Sequence, residues 1–111
     1  MYIYIYMHQS LAKRVITEFI GTFIFLGVIV ASSNNSLHYD GIEKAFAVGI
    51  ALTIAIVFGG NISGGYFNPA VSIMMLLKKD AKNSMHYGAK ECILYIVAQV
   101  LGGVAAFYYI K

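Results

Sequence analysis

The chain has 111 residues, 59% of them hydrophobic and 12% charged. An ordinary soluble domain carries roughly 25% charged residues, so this composition excludes that class and points to a membrane protein. The net charge of +3 comes from Lys and Arg clustered beside apolar segments, a pattern that fits topology signals and not a nucleic-acid partner.

Residues 1–10 read as an N-terminal tail. Met1 to Met7 alternates Tyr and Ile, with no basic region ahead and no small-residue cleavage site behind, so no cleavable signal is expected. Val15 to Ser32 is the first span, about 27 Å long as a helix, with Glu18 as its only charge. Ser33 to Glu43 is polar and reads as a loop. Ala45 to Gly60 is an uncharged second span, and the Gly-rich stretch Asn61 to Phe67 is expected to break it. Asn68 to Leu77 is apolar but roughly 15 Å long as a helix, too short to cross a bilayer. Lys78 to Tyr87 is a basic connector, and Gly88 to Ile110 is the third span, interrupted early by Lys90 and Glu91.

The run Ser63-Gly64-Gly65-Tyr66-Phe67-Asn68-Pro69-Ala70-Val71 carries the most information. Asn caps helices well, and Pro is tolerated at the first helical position because its missing N–H would be unpaired there. A helix that starts inside an apolar zone aims its free N–H groups and positive dipole end at something within the membrane. Unwound backbone at that depth is tolerated where protein buries it or where it lines a wet cavity. A re-entrant loop and half-helix over 61–77, beside a water-filled path, follow from this. Small residues also recur at four-residue spacing, as Ala47, Ala51, Ala55 and Gly59 and again as Ala98, Gly102 and Ala106. Such ladders let helix backbones approach closely in lipid.

Other candidates have plainer readings. His8, His38 and His86 are scattered, so no metal site is expected, and no nucleophile, base and electrophile combine into an enzyme. Cys92 is the only cysteine, which excludes an intrachain disulfide, and it reads as a small apolar packing residue. Gln99 reads as an interhelical hydrogen-bond partner. The sequons Asn34-Asn35-Ser36 and Asn61-Ile62-Ser63 read as chance matches.

From about Leu11 to Phe107 the chain resembles the N-terminal half of the major intrinsic proteins, the aquaporins and aquaglyceroporins. The likeness rests on Glu18-Phe19-Ile20-Gly21-Thr22, on the approach from Gly59 to Gly64, on Asn68-Pro69-Ala70, and on Ala98-Gln99 followed by Gly102. The resemblance implies an all-α membrane protein in which residues 11–111 form one repeat of three transmembrane helices plus a re-entrant half-helix. It implies passive conduction of water or small neutral solutes such as glycerol, with no cofactor. Asn68 would donate its amide to the passing solute, and the carbonyls of Gly64, Gly65 and Tyr66 would form a ladder of acceptors. Glu18 would hold the re-entrant backbone N–H groups. Val48, twenty residues before Asn68, would contribute to the outer constriction and make it wider or more apolar than an aromatic would. Gly65 and Tyr66 depart from the common Ala and His.

The family pairs two inverted repeats and is usually tetrameric. This sequence supplies one repeat, so the expected partners, besides the lipid bilayer, are a complementary C-terminal half or homologous channel subunits. The alternatives are a non-conducting membrane partner of full-length channels and a degenerate fragment.

Lys13, Arg14, Lys78, Lys79, Lys82 and Lys90 lie on one side and Lys44 and Lys111 on the other, which places the N-terminus in the cytoplasm. Single cysteines in a Cys92→Ala background should therefore label from the cytoplasmic face at Ser10 and Ser84, and from outside at Ser36 and Lys111. Labelling of Ser36 and Ser84 from the same face would contradict this topology.

Overall fold

A computed structural model describes residues 9–33, 40–78 and 86–110. The described residues form four helices and no strand: α1 Leu11–Ser32, α2 Gly41–Ser63, α3 Pro69–Lys78 and α4 Ala89–Ile110. The helices α1, α2 and α4 have 22, 23 and 22 residues and are long and apolar enough to cross a membrane. With 10 residues, α3 reaches about 15 Å.

Local chemistry sets the helix ends, several of them beyond the limits of the apolar runs. Ser10 caps α1 by accepting from the Lys13 N–H at 3.2 Å, so the helix starts before Val15. Asp40 and Glu43 form a reciprocal capping box, with Glu43 N to Asp40 Oδ1 at 2.7 Å and Asp40 N to Glu43 Oε1 at 3.1 Å. This box starts α2 at Gly41, within the stretch that reads as loop. At its other end α2 runs through Asn61 and Ile62 to Ser63. It stops where Gly64 turns left-handed at φ 99° and returns its N–H to the Gly60 carbonyl. Glycine adopts that conformation without steric cost. The break in the chain is therefore shorter than the Gly-rich composition implies.

Among the described residues the core mixes polar groups with small and aromatic ones, and large apolar side chains lie on the surface. On α1, Arg14, Glu18 and Thr22 are buried, while Ile16, Ile20 and Ile24 on the opposite face are exposed. That inversion suits a bundle whose outer solvent is lipid. Helix α1 is the hub, packed most extensively against α4 and next against α2, while α3 packs on α4. Small residues make the close approaches. Ala51, Ala55 and Gly59 are buried on α2, and Ala98, Gly102 and Ala106 on α4. A Cβ on Gly102 would stand 2.6 Å from the Phe19 carbonyl oxygen and 3.2 Å from the Phe23 nitrogen, both backbone atoms of α1. Neither can move without separating the helices.

Gly102→Ala should therefore destabilise the bundle by about 1–3 kcal/mol, the usual cost of overpacking. Gly49→Ala is the control, since a Cβ there meets nothing within 4 Å. Thermal unfolding in mild detergent should show a lower Tm for the first and an unchanged or higher Tm for the second. Equal Tm values would contradict the close contact between α1 and α4.

Candidate functional site

The site is built around one carboxylate. Glu18 is fully buried in α1, where an unpaired charge would be very costly. It accepts four hydrogen bonds. The Ser63 hydroxyl donates at 2.6 Å and the Tyr66 N–H at 3.2 Å, both to Oε2. The Phe67 N–H donates at 2.8 Å and the Gln99 amide at 2.7 Å, both to Oε1. The Gly65 N–H reaches the Ser63 hydroxyl at 3.2 Å. The end of α2, the loop that follows it and α4 are thus tied to a single side chain of α1.

Loop geometry follows from these bonds. All described peptide bonds are trans, and in a trans peptide the N–H and the preceding C=O point in opposite directions. The N–H groups of Gly65, Tyr66 and Phe67 turn toward Ser63 and Glu18. The carbonyls of Gly64, Gly65 and Tyr66, which share those peptide planes, therefore face away from them.

Phe67 locks the loop. Its φ is 51°, a conformation rare for a bulky residue, and it is only 2% exposed. Its ring is wedged between Gly21 of α1 and Gly59 of α2, where an added methyl on either glycine would overlap it. Burial of the ring in that slot, together with the N–H bond to Glu18, offsets the backbone strain.

Asn68 caps the short helix α3. The Asn68 Oδ1 accepts from the Ala70 N–H at 2.8 Å, and the Ser72 N–H returns to the Asn68 carbonyl at 2.9 Å. The cap consumes the side-chain oxygen, so the Asn68 NH2 remains as the donor. Further along, Ser72 is fully buried and held from three sides. The Gln99 amide donates to its hydroxyl at 2.8 Å, while the Tyr87 hydroxyl and the Cys92 thiol reach its carbonyl at 2.7 and 3.5 Å. Burial pushes the Tyr87 phenol well above its ordinary pKa, so it remains a donor.

Asn68 and Pro69 stand with Phe67 in a groove of about 740 Å³ between α1 and α4. Phe25, Leu26, Val104 and Phe107 make its walls apolar, and Thr22 and Gln99 also line it. The Thr22 Oγ1 and Gln99 Oε1 atoms are buried without a protein partner.

The residues singled out in the sequence do not all converge. Glu18, Gln99, Gly64, Gly65 and Tyr66 meet around the loop, and Asn68 and Pro69 meet in the groove. Ala70 is exposed and serves the cap through its N–H. Val48 is half-buried on α2 and is not among the groove's lining residues, because α2 contributes none of them. Tyr66 turns its ring into an aromatic cluster, 5.3 Å from the Tyr87 centroid and 5.7 Å from that of Tyr95. Ser63, Phe67, Ser72 and Tyr95 complete the arrangement; Ser72 and Tyr95 carry no signal of their own in the sequence, and Ser63 and Phe67 lie in the informative run without a role assigned to them. For Phe67 the signal lies in the glycines that receive it.

Comparison with known proteins agrees with this architecture. The chain is 35% identical over 104 residues to "Glycerol uptake facilitator protein-like 6" of Lactiplantibacillus plantarum, covering 89% of this chain and 43% of that protein. It is 34% identical over 106 residues to "Aquaporin NIP6-1" of Arabidopsis thaliana, covering 92% of this chain and 33% of that protein. It is 33% identical over 98 residues to "Aquaporin-2" of Orycteropus afer, covering 86% and 84%. The chain thus spans less than half the length of the first two relatives. No solved structure gives a significant match. The family profile "Major intrinsic protein" matches residues 6–111, and with the three apolar helices it establishes that the chain belongs to the major intrinsic protein family and is an integral membrane protein.

Proposed function

We propose that this chain forms one part of the wall of a channel that passes water and small neutral solutes such as glycerol by diffusion, with no chemical step. The observation that carries the reading is the orientation of the loop. Glu18 and Ser63 gather its N–H groups, so the carbonyls of Gly64, Gly65 and Tyr66 face the other way, on the side where a solute would pass. Beyond them the Asn68 NH2 stands as a donor at the start of α3, where the positive end of the helix disfavours cations. An ordered row of acceptors followed by a fixed donor suits a hydroxyl or a water molecule, each of which both donates and accepts. The apolar walls of the groove give a small solute little to bind.

The groove beside Asn68 is open, and a closed path needs a second surface over it. In this reading a complementary repeat of inverted orientation supplies that surface, as continuing polypeptide or as another chain. The basic flank supports a cytoplasmic N-terminus, and with it α3 would enter the membrane from that face. Val48 lies away from Asn68 along α2 and would act at the outer end of the path. Names of relatives include both a glycerol facilitator and aquaporins, which fits the solute class of water and small polyols.

The test is osmotic swelling and shrinking of proteoliposomes holding the protein at its natural length. Asn68→Leu removes both the cap and the donor. It should cut water and glycerol flux several-fold at equal protein content, an estimate for the loss of one pore-lining donor. Unchanged flux would remove Asn68 from the path, and an absence of flux in the wild type would favour a non-conducting partner of other channels.

A further inference from the structure

Gly64 and Gly65 both turn at positive φ, 99° and 67°. Glycine takes either sign of φ without steric cost, so these two residues do not by themselves fix the direction of their peptide planes. The carbonyl row depends on that direction, and the planes must be pinned from outside the loop. From the Glu18 side the hold lengthens along the chain. It is 2.8 Å at the Phe67 N–H, 3.2 Å at the Tyr66 N–H and, through the Ser63 hydroxyl, 3.2 Å at the Gly65 N–H.

A second short bond stands at the other end. The Tyr95 hydroxyl donates to the Ser63 carbonyl at 2.7 Å, and the Gly64 N–H of the same peptide goes to the Gly60 carbonyl at 3.1 Å. Gly64 rotates from that plane, and Ser63 is also the residue whose side chain holds the Gly65 N–H. Tyr95 is itself held firmly. It is fully buried, with its ring 5.1 Å from that of Tyr87 and 5.7 Å from that of Tyr66. Its oxygen accepts from the Arg14 Nε at 2.9 Å. A phenol has one proton to give, and with Arg14 donating to the oxygen that proton goes to Ser63. The burial of Arg14 follows from this task, with the buried carboxylate of Glu91, one turn before Tyr95 on α4, as the nearby opposite charge.

We propose that Tyr95, oriented by Arg14, is a positioning residue that sets the direction of the Gly64 carbonyl, and with it how readily the path accepts a polyol relative to water. The inference rests on the channel reading above. A polyol carries its hydroxyls at fixed spacing and needs consecutive acceptors in register. A water molecule makes its bonds one at a time and tolerates a displaced acceptor. Polar sites discriminate by the hydrogen bonds they leave unmade, so a misdirected Gly64 carbonyl costs glycerol more than water.

The experiment compares glycerol and water flux in the same proteoliposomes, again with the protein at its natural length. If the wild type passes neither, the channel reading fails and this inference with it. Given conduction, Tyr95→Phe keeps the ring and removes the hydroxyl. It should lower glycerol flux about fivefold, the scale of one hydrogen bond, while water flux changes less than twofold. Amide exchange in bilayers gives a second readout on the same variant. The Gly65 N–H should exchange several-fold faster, while the Phe67 N–H, held by Glu18, keeps its wild-type rate. Arg14→Met leaves the phenol and removes the group that orients it, so it carries the test where Tyr95→Phe does not reach the bilayer. It should move the glycerol-to-water ratio in the same direction, and Arg14→Lys, which retains a donor, should stay nearer the wild-type ratio. With a conducting wild type, equal losses of glycerol and water flux would overturn this inference alone. Release of the Gly65 and Phe67 amides together would also overturn it, by reducing Tyr95 to a general support of the bundle.

Discussion

The carboxylate of Glu18 is the constraint on which the rest of the structure depends. In lipid, a loop between two helices has no water to satisfy its amides. Three consecutive loop N–H groups, those of Gly65, Tyr66 and Phe67, find acceptors in Ser63 and Glu18. One carboxyl group makes this possible because its two oxygens can accept from several donors at once. The arrangement is mutual. The loop could not stay unwound without the carboxylate, and the carboxylate could not stay buried without the loop and Gln99.

From that centre the polar interior spreads as a connected chain. Gln99 passes from Glu18 to Ser72, which anchors the short helix. Tyr95 passes from Arg14 to the Ser63 carbonyl, which fixes the last turn of α2. Around these links Gly21, Gly59 and Gly102 bring the backbones close enough for the bonds to form. The small residues and the buried polar groups are therefore one device, since substitution of either kind would separate what the other joins. Function in the proposed sense follows from the same geometry. Amides drawn to one side leave carbonyls on the other.

Much of the fold was legible because lipid imposes simple lengths. Three apolar runs near 20 residues and one of half that length admit few arrangements, and an Asn-Pro pair inside an apolar zone marks a helix start. Helix ends were less legible. Ser10 and the Asp40–Glu43 box carry α1 and α2 past their apolar runs, and Asn61 and Ile62 stay helical because Gly64, not Asn61, turns the chain. Glu18 stood out as a charge in a span, but its partners Ser63, Tyr66 and Phe67 lie 45 to 49 residues away, and no local pattern links them. Phe67 looked like one more apolar residue, although its ring occupies a slot made by two glycines on different helices. Arg14 looked like a topology charge, and only its burial separates it from Lys13.

The most direct test of the central claim is hydrogen exchange at the Tyr66 and Phe67 amides in lipid bilayers. If Glu18 holds them, both should exchange as slowly as amides in the middle of α1 and α4, although they belong to no helix. Replacement of Glu18 by Ala should release the two together. Exchange at the rate of an open loop in the wild type, or protection that survives the loss of the carboxylate, would contradict the account.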